Sequence, residues 1–103
     1  MKVPDYQSLL LPLLKFAGDG NEHSFRESIE ALADNLDLPD ELVNELLPSG
    51  TQTIFGNRVG WAKTYLKKAK LIKSKKRGYF NITNEGMKVL KENPEKIDVD
   101  YLK

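Results

Sequence analysis

The chain has 103 residues, of which 40% are hydrophobic and 30% charged, which fits one ordinary globular domain and excludes a fibrous or wholly disordered protein. It contains no cysteine and a single histidine, His23; this removes disulfides, thiolate metal sites, thiol nucleophiles and any histidine pair or triad, and agrees with a reducing compartment. The formal net charge of +1 hides two unlike halves, because residues 1–50 hold three bases against ten acids whereas residues 51–103 hold thirteen bases against five acids, an asymmetry that suggests a polyanionic partner.

Met1-Lys2-Val3-Pro4-Asp5 places an acid where the basic region of a secretion signal would end, and no small-residue cleavage site follows, so a cytoplasmic location is expected. Leu9, Leu10, Leu13, Leu14 and Phe16 recur at helical spacing and predict a helix over residues 5–17, ended by Gly18-Asp19-Gly20. The longest apolar stretch, Leu9–Leu14, is interrupted by Pro12 and falls far short of the roughly 20 residues that span a bilayer, so no membrane partner is expected. Pro12 would cost about 3 kcal/mol in a regular helix interior, which predicts either a kink or a start late enough to put it in the first turn.

Ser24-Phe25-Arg26-Glu27 has the spacing of a capping box, in which the serine hydroxyl and the glutamate carboxylate satisfy each other's free backbone donors. A second helix over residues 25–36 follows, burying Ile29, Leu32, Ala33 and Leu36, with His23 on the surface or in the loop ahead of it. Pro39 followed by Asp40 and Glu41 starts a third, short helix that runs to about Leu47, since proline needs no donor there and acids suit the positive end of the helix dipole. Leu47-Pro48-Ser49-Gly50 then breaks the chain.

The fourth helix, over residues 53–69, has two unlike faces. Phe55, Val59, Ala62, Leu66 and Ala69 form the stripe that meets the core, with Trp61 and Tyr65 flanking it. Trp61 is expected beside the core rather than stacked on a ligand, since large aromatics dominate core energetics. The opposite face carries Thr53, Gly56, Asn57, Gly60, Lys63, Thr64, Lys67 and Lys68, the basic and hydrogen-bonding chemistry of a groove reader. Gly56 and Gly60 each cost about 1 kcal/mol relative to alanine within a helix, which implies close approach either by a neighbouring helix or by DNA.

Leu71-Ile72-Lys73-Ser74 and Tyr79-Phe80-Asn81-Ile82 are β-prone runs joined by Lys75-Lys76-Arg77-Gly78, and they predict a hairpin with a basic tip. Thr83 caps a last helix that carries Met87, Val89 and Leu90 and stops before Pro94. Beyond it, Ile97, Val99 and Tyr101 alternate in a tail that reads as a docking strand or the start of a linker. The fold class expected is therefore mainly α with a small β-hairpin, in the order of a winged helix-turn-helix: residues 1–93 as the domain and residues 94–103 as tail or linker.

Between Arg58 and Arg77 lie nine bases and no acid. Most charge runs are merely solvated lysine-rich faces, and many winged helices bind only proteins. Here the run covers both the fourth helix and the hairpin tip, the two elements with which a winged helix meets DNA, which favours double-stranded DNA as the partner.

Leu46-Leu47-Pro48-Ser49-Gly50, Gln52-Thr53, Asn57-Arg58-Val59-Gly60-Trp61-Ala62 and Thr64-Tyr65-Leu66-Lys67-Lys68-Ala69 closely resemble the N-terminal domain of Mrr-type restriction system proteins, in order and spacing, within a resemblance that spans roughly residues 4–90. The resemblance implies a winged-helix DNA-recognition domain that, in full-length members of this type IV restriction endonuclease family, precedes a nuclease domain cutting modified foreign DNA. Two positions depart from the pattern: Thr51 stands where a basic residue is expected, and Lys70 where a glycine usually ends the helix.

A nuclease centre of that kind needs an acid, and two residues apart a Glu or Gln and a lysine; the chain contains no (Asp/Glu/Gln)-x-Lys, so no catalytic residue, metal or cofactor is expected. Gly18-x-Gly20 and Gly56-x-x-x-Gly60 are too weak to signal a phosphate loop or a membrane dimer, and Asn81-Ile82-Thr83 reads as strand end plus helix cap rather than a glycosylation site. Among the DNA-binding candidates, Asn57, Lys63, Thr64 and Lys67 are expected to face the major groove with Thr53 at the start of the same face. Arg58 and Lys68 are expected to reach phosphates, and Lys75, Lys76 and Arg77 to form the wing contact. The alternatives are a protein-interaction module, docking on a partner or on a nuclease domain, and a transcription regulator.

Overall fold

The computed structural model describes residues 2–98 and 100–102. Its order is α1 (Tyr6–Ala17), β1 (His23–Ser24), α2 (Phe25–Asn35), α3 (Asp40–Val43), α4 (Ile54–Lys68), β2 (Ile72–Lys73), β3 (Tyr79–Ile82) and α5 (Asn84–Lys91). The protein is thus mainly helical, with a three-stranded antiparallel sheet of order β1-β3-β2.

Local chemistry sets most of the helix starts. The Asp5 carboxylate accepts the Ser8 N–H at 2.8 Å. Ser24 Oγ accepts the Glu27 N–H and Glu27 Oε1 accepts the Ser24 N–H, both at 3.1 Å, completing the expected capping box. Thr53 and Thr83 accept the N–H groups of Gly56 and Gly86 in the same way. Because Asp5 caps α1, the helix runs through Pro12 well beyond its first turn, so the late start suggested by that proline does not occur.

The core lies where α1 packs across α4, with α2 and the sheet closing it. Leu9, Leu10, Leu13 and Leu14 from α1 meet Phe55, Val59, Ala62 and Leu66 from α4, and Leu32, Ile72 and Phe80 complete the cluster. Of the expected core residues in α2 only Leu32 is fully buried; Ile29, Ala33 and Leu36 are half-buried against it. α5 approaches so closely that a Cβ at Gly86 would overlap the Leu71 carbonyl oxygen and the Ile82 side chain.

α4 ends as a Schellman motif. The Leu71 N–H donates to the Leu66 carbonyl and the Lys70 N–H to the Lys67 carbonyl, both at 3.0 Å, and Lys70 takes the left-handed conformation with φ +64°. The lysine that departs from the expected glycine therefore still performs the glycine's turn.

Three elements differ from expectation. His23 and Ser24 form β1, pairing with Phe80 and Tyr79, where only a loop was expected. α3 stops at Val43 instead of about Leu47, because Leu46 is drawn into an extended bridge with Thr53 and the Leu47 N–H donates to Gln52. The tail forms no strand among the described residues. Ile97 inserts into the core, and the Tyr101 and Leu102 N–H groups fold back onto Asp98; Val99 of the expected alternation and Lys103 at the tail's end lie outside the described residues.

Candidate nucleic-acid interface

The β2–β3 hairpin pairs Ile72 with Ile82 and Lys73 with Asn81, as the sequence predicts. Its tip is a tight turn in which Ser74 Oγ donates to the carbonyls of Lys76 (2.9 Å) and Tyr79 (2.7 Å), and Gly78 takes φ +84°. Lys75, Lys76 and Arg77 are all exposed there. Lys76 Nζ lies 4.1 Å from the Tyr79 ring centroid and 3.9 Å from Glu22 Oε1, a solvent-screened pair of the kind that contributes little. Lys75 and Arg77 have no ion-pair partner among the described residues.

Phe25 joins this tip to α4. Its backbone N–H donates to the Gly78 carbonyl at 2.8 Å, and its ring borders an open depression of about 320 Å³ beside α4. Gly56, Asn57, Gly60, Trp61 and Thr64 supply the α4 side of that depression, and Gln52 lines it as well. Thr64 Oγ1 donates to the Gly60 carbonyl at 3.0 Å. Asn57, Thr64 and the hairpin tip are therefore neighbours through a single residue at the start of α2.

Lys63 departs from the exposed position expected of it. It is half-buried, with Nζ 5.3 Å from the Phe25 ring centroid and 5.9 Å from that of Phe80. Burial pushes its pKa below the ordinary lysine value, and repulsion from Lys67 adds to this. Both rings come from other elements, so helical periodicity alone could not reveal the contact. Lys67 and Lys68 are exposed as expected, Lys68 Nζ lying 6.0 Å from the Tyr65 ring centroid.

Arg58 points elsewhere. Its Nη1 donates to the Val3 carbonyl at 2.7 Å and reaches the Pro4 carbonyl at 3.4 Å, and it borders a separate depression with Lys2, Leu42 and Glu45. It thus ties the N-terminal segment to α4. Thr53 is engaged in the α4 cap described above.

Two residues outside the expected set gain importance. Trp61, expected beside the core, is 51% exposed and leans on Tyr65 with ring centroids 6.4 Å apart; Tyr65 is itself held by a stack on Tyr6 at 5.0 Å. His23, expected on the surface or in a loop, is half-buried under Phe16, with ring centroids 4.4 Å apart. Its Nε2 lies 2.9 Å from Asp19 Oδ2 and its Nδ1 3.3 Å from Glu27 Oε2. Burial lowers its pKa, but hydrogen bonds and attraction from the two carboxylates outweigh burial and leave it raised.

Among the described residues no cluster of three or more His, Asp or Glu side chains could hold a metal ion, and no helix is long and apolar enough to cross a membrane. No solved structure matches the chain. Over 96 residues it is 33% identical to the type IV methyl-directed restriction enzyme EcoKMrr of Escherichia coli (strain K12), a match that covers 92% of this chain and 31% of that enzyme. The chain thus spans about a third of the length of that relative. Residues 6–92 match the family described as the Mrr N-terminal domain, and the chain belongs to that family.

Proposed function

We propose that this chain binds double-stranded DNA as a winged helix-turn-helix domain, with α4 in the major groove and the β2–β3 hairpin as a wing on the flanking backbone. The observation that carries the reading is the coincidence of the acid-free run from Arg58 to Arg77 with α4 and the hairpin tip, two elements linked through Phe25. In this reading Asn57 and Thr64 meet base edges, with Thr53 at the leading end of the same face. Lys63 and Lys67 add positive charge to that face. Lys63, already partly dried by Phe25 and Phe80, loses less hydration when a ligand covers it. Lys68, Lys75, Lys76 and Arg77 serve phosphates, and the free guanidinium nitrogens of Arg58 reach the backbone only at the edge of the contact.

The domain supplies binding and not catalysis. In a longer protein it delivers a nuclease domain to DNA, and methyl-directed restriction in the cytoplasm is the whole-protein activity we propose by likeness to the E. coli enzyme.

Duplex binding measured from low to moderate salt tests the reading. Each phosphate neutralised contributes about 0.9 to the slope of log affinity against log salt, so K75A/K76A/R77A flattens that slope by up to about 2.7. Its thermal melt stays within about 0.5 kcal/mol of the parent, as for exposed turn substitutions generally. A folded triple mutant with the parent's affinity and slope would remove the wing from the interface and favour a protein-interaction role instead.

A further inference from the structure

The two glycines of α4 have different causes. A Cβ at Gly56 would sit 2.8 Å from Thr53 Oγ1 and 3.6 Å from Ile29 Cδ1, so the cap and α2 account for that glycine. A Cβ at Gly60 would meet only Phe25 Cζ, at 3.5 Å, an ordinary contact. Nothing within the described protein requires residue 60 to lack a side chain, although glycine is a poor helix former. What its absence leaves open is the depression: Gly60 lines it with Gly56 and the aromatic residues Phe25 and Trp61, and Gln52, Asn57 and Thr64 add polar groups to the lining. Trp61 leans on Tyr65, which is stacked on Tyr6, so the protein's own rings support it before any ligand binds.

We infer that this depression receives the C5-methyl group of a pyrimidine, with Gly60 and Trp61 as specificity-determining residues. The inference rests on the proposed placement of α4 in the major groove. There the edges of the four ordinary bases present amino donors, carbonyl and ring-nitrogen acceptors, and one kind of apolar group, the methyl on pyrimidine C5. Of those groups only the methyl is an apolar partner for the rings of Phe25 and Trp61. Asn57 at its edge meets the hydrogen-bonding atoms of the neighbouring base. Thymine and 5-methylcytosine carry the same methyl group at the same ring position, so the shared chemistry is the methyl and not the base.

The test compares the complete chain and two variants on one mixed-sequence duplex pool copied in three forms. The forms carry thymine with cytosine, uracil with cytosine, or thymine with 5-methylcytosine. The readout is the ratio of affinities between copies, and burial of one methyl group corresponds to about a fourfold ratio. The parent prefers thymine over uracil if thymine is the source, and the 5-methylcytosine copy over the cytosine copy if that base is. Gly60→Ala, which adds a methyl group to the lining, and Trp61→Ala, which removes an aromatic ring from it, each bring that ratio to one. Gly60→Ala melts no lower than the parent, since its new methyl meets no clash. Equal parent affinity for all three copies overturns the methyl pocket and leaves DNA binding standing. An undiminished ratio in both folded variants places the methyl contact elsewhere and equally overturns it. Absence of duplex binding at every salt concentration overturns the DNA-binding reading together with this one.

Discussion

α1 buries six of its twelve residues, whereas α4 buries four of fifteen. α1 is held by leucines on several sides, which leaves it little surface beyond Gln7, Ser8 and Lys15. α4 is anchored by the stripe Phe55, Val59, Ala62 and Leu66, leaves Trp61, Thr64, Lys67 and Lys68 exposed, and holds its remaining residues half-buried. The difference teaches where substitution acts on the fold and where it acts on a partner. α4, with fewer buried residues of its own, gains its stabilisation chiefly by lying against α1.

The sharpest way to break this comparison is a matched pair of truncations. Leu13→Ala empties a fully buried site and costs about 2–5 kcal/mol, whereas Lys67→Ala on the open side of α4 changes stability by no more than about 0.5 kcal/mol. Denaturant melts of both measure it, and comparable losses would mean that α4 has no free face. Next in size is Asn57→Ala, expected to weaken binding by about 1–3 kcal/mol on a preferred duplex obtained by selection and by much less on random DNA. Equal losses on the two duplexes would demote Asn57 from base reader to backbone contact.

A smaller effect sharpens the comparison at the end of α4. Lys70→Gly removes the left-handed strain of a residue with a Cβ, less the extra unfolded-chain entropy of glycine, and raises stability by about 0.5–1 kcal/mol. A melt unchanged or lowered would show that the lysine stem makes a compensating contact.

The smallest effect is one of pH, and it lies on the α1 side of the molecule. Because the folded pKa of His23 is raised above the ordinary 6.5, its stabilisation is fully present below 6.5 and is lost as pH rises through the raised folded value. Asp19 and Glu27 have lowered pKa values, Asp19 chiefly through the Asn21 N–H and Glu27 chiefly through the Ser24 N–H, with His23 next in each case. Their contribution is present above the ordinary carboxylate values of 3.8 and 4.5 and is lost as pH falls. The melting temperature is therefore highest between these limits, and His23→Gln abolishes the decline on the alkaline side. A decline that persists in His23→Gln would assign it to another group.

Features written in short stretches of sequence were legible in advance. The capping box at Ser24 and Glu27, the cap at Thr83, the buried stripe of α4 and the hairpin after it all rest on neighbours within a few residues. The features that escaped prediction join distant segments. β1 exists only because His23 meets Phe80, and two residues cannot display a strand period. The hydrogen bond from Arg58 to Val3 and the lean of Lys63 over Phe25 and Phe80 likewise depend on tertiary packing. For the depression beside Gly60, one signal was present, a costly glycine on the polar side of a helix. Spacing alone could not separate a neighbouring helix from an outside ligand as its cause.

The short link between α4 and the hairpin has a further consequence. Ala69, Lys70 and Leu71 are all that separate Lys68 from β2. Lys70 is fixed in its turn, Leu71 is buried, and the Leu71 carbonyl accepts the Thr83 N–H at 3.0 Å. Helix and hairpin therefore form a caliper whose opening is set when the chain folds. The entropy of orienting the two arms is spent on folding rather than at the encounter with a partner, so association requires little rearrangement. Inserting one residue into this link would swing the basic tip to a new angle while leaving the number of surface charges unchanged, separating the geometry of the contact from its net charge.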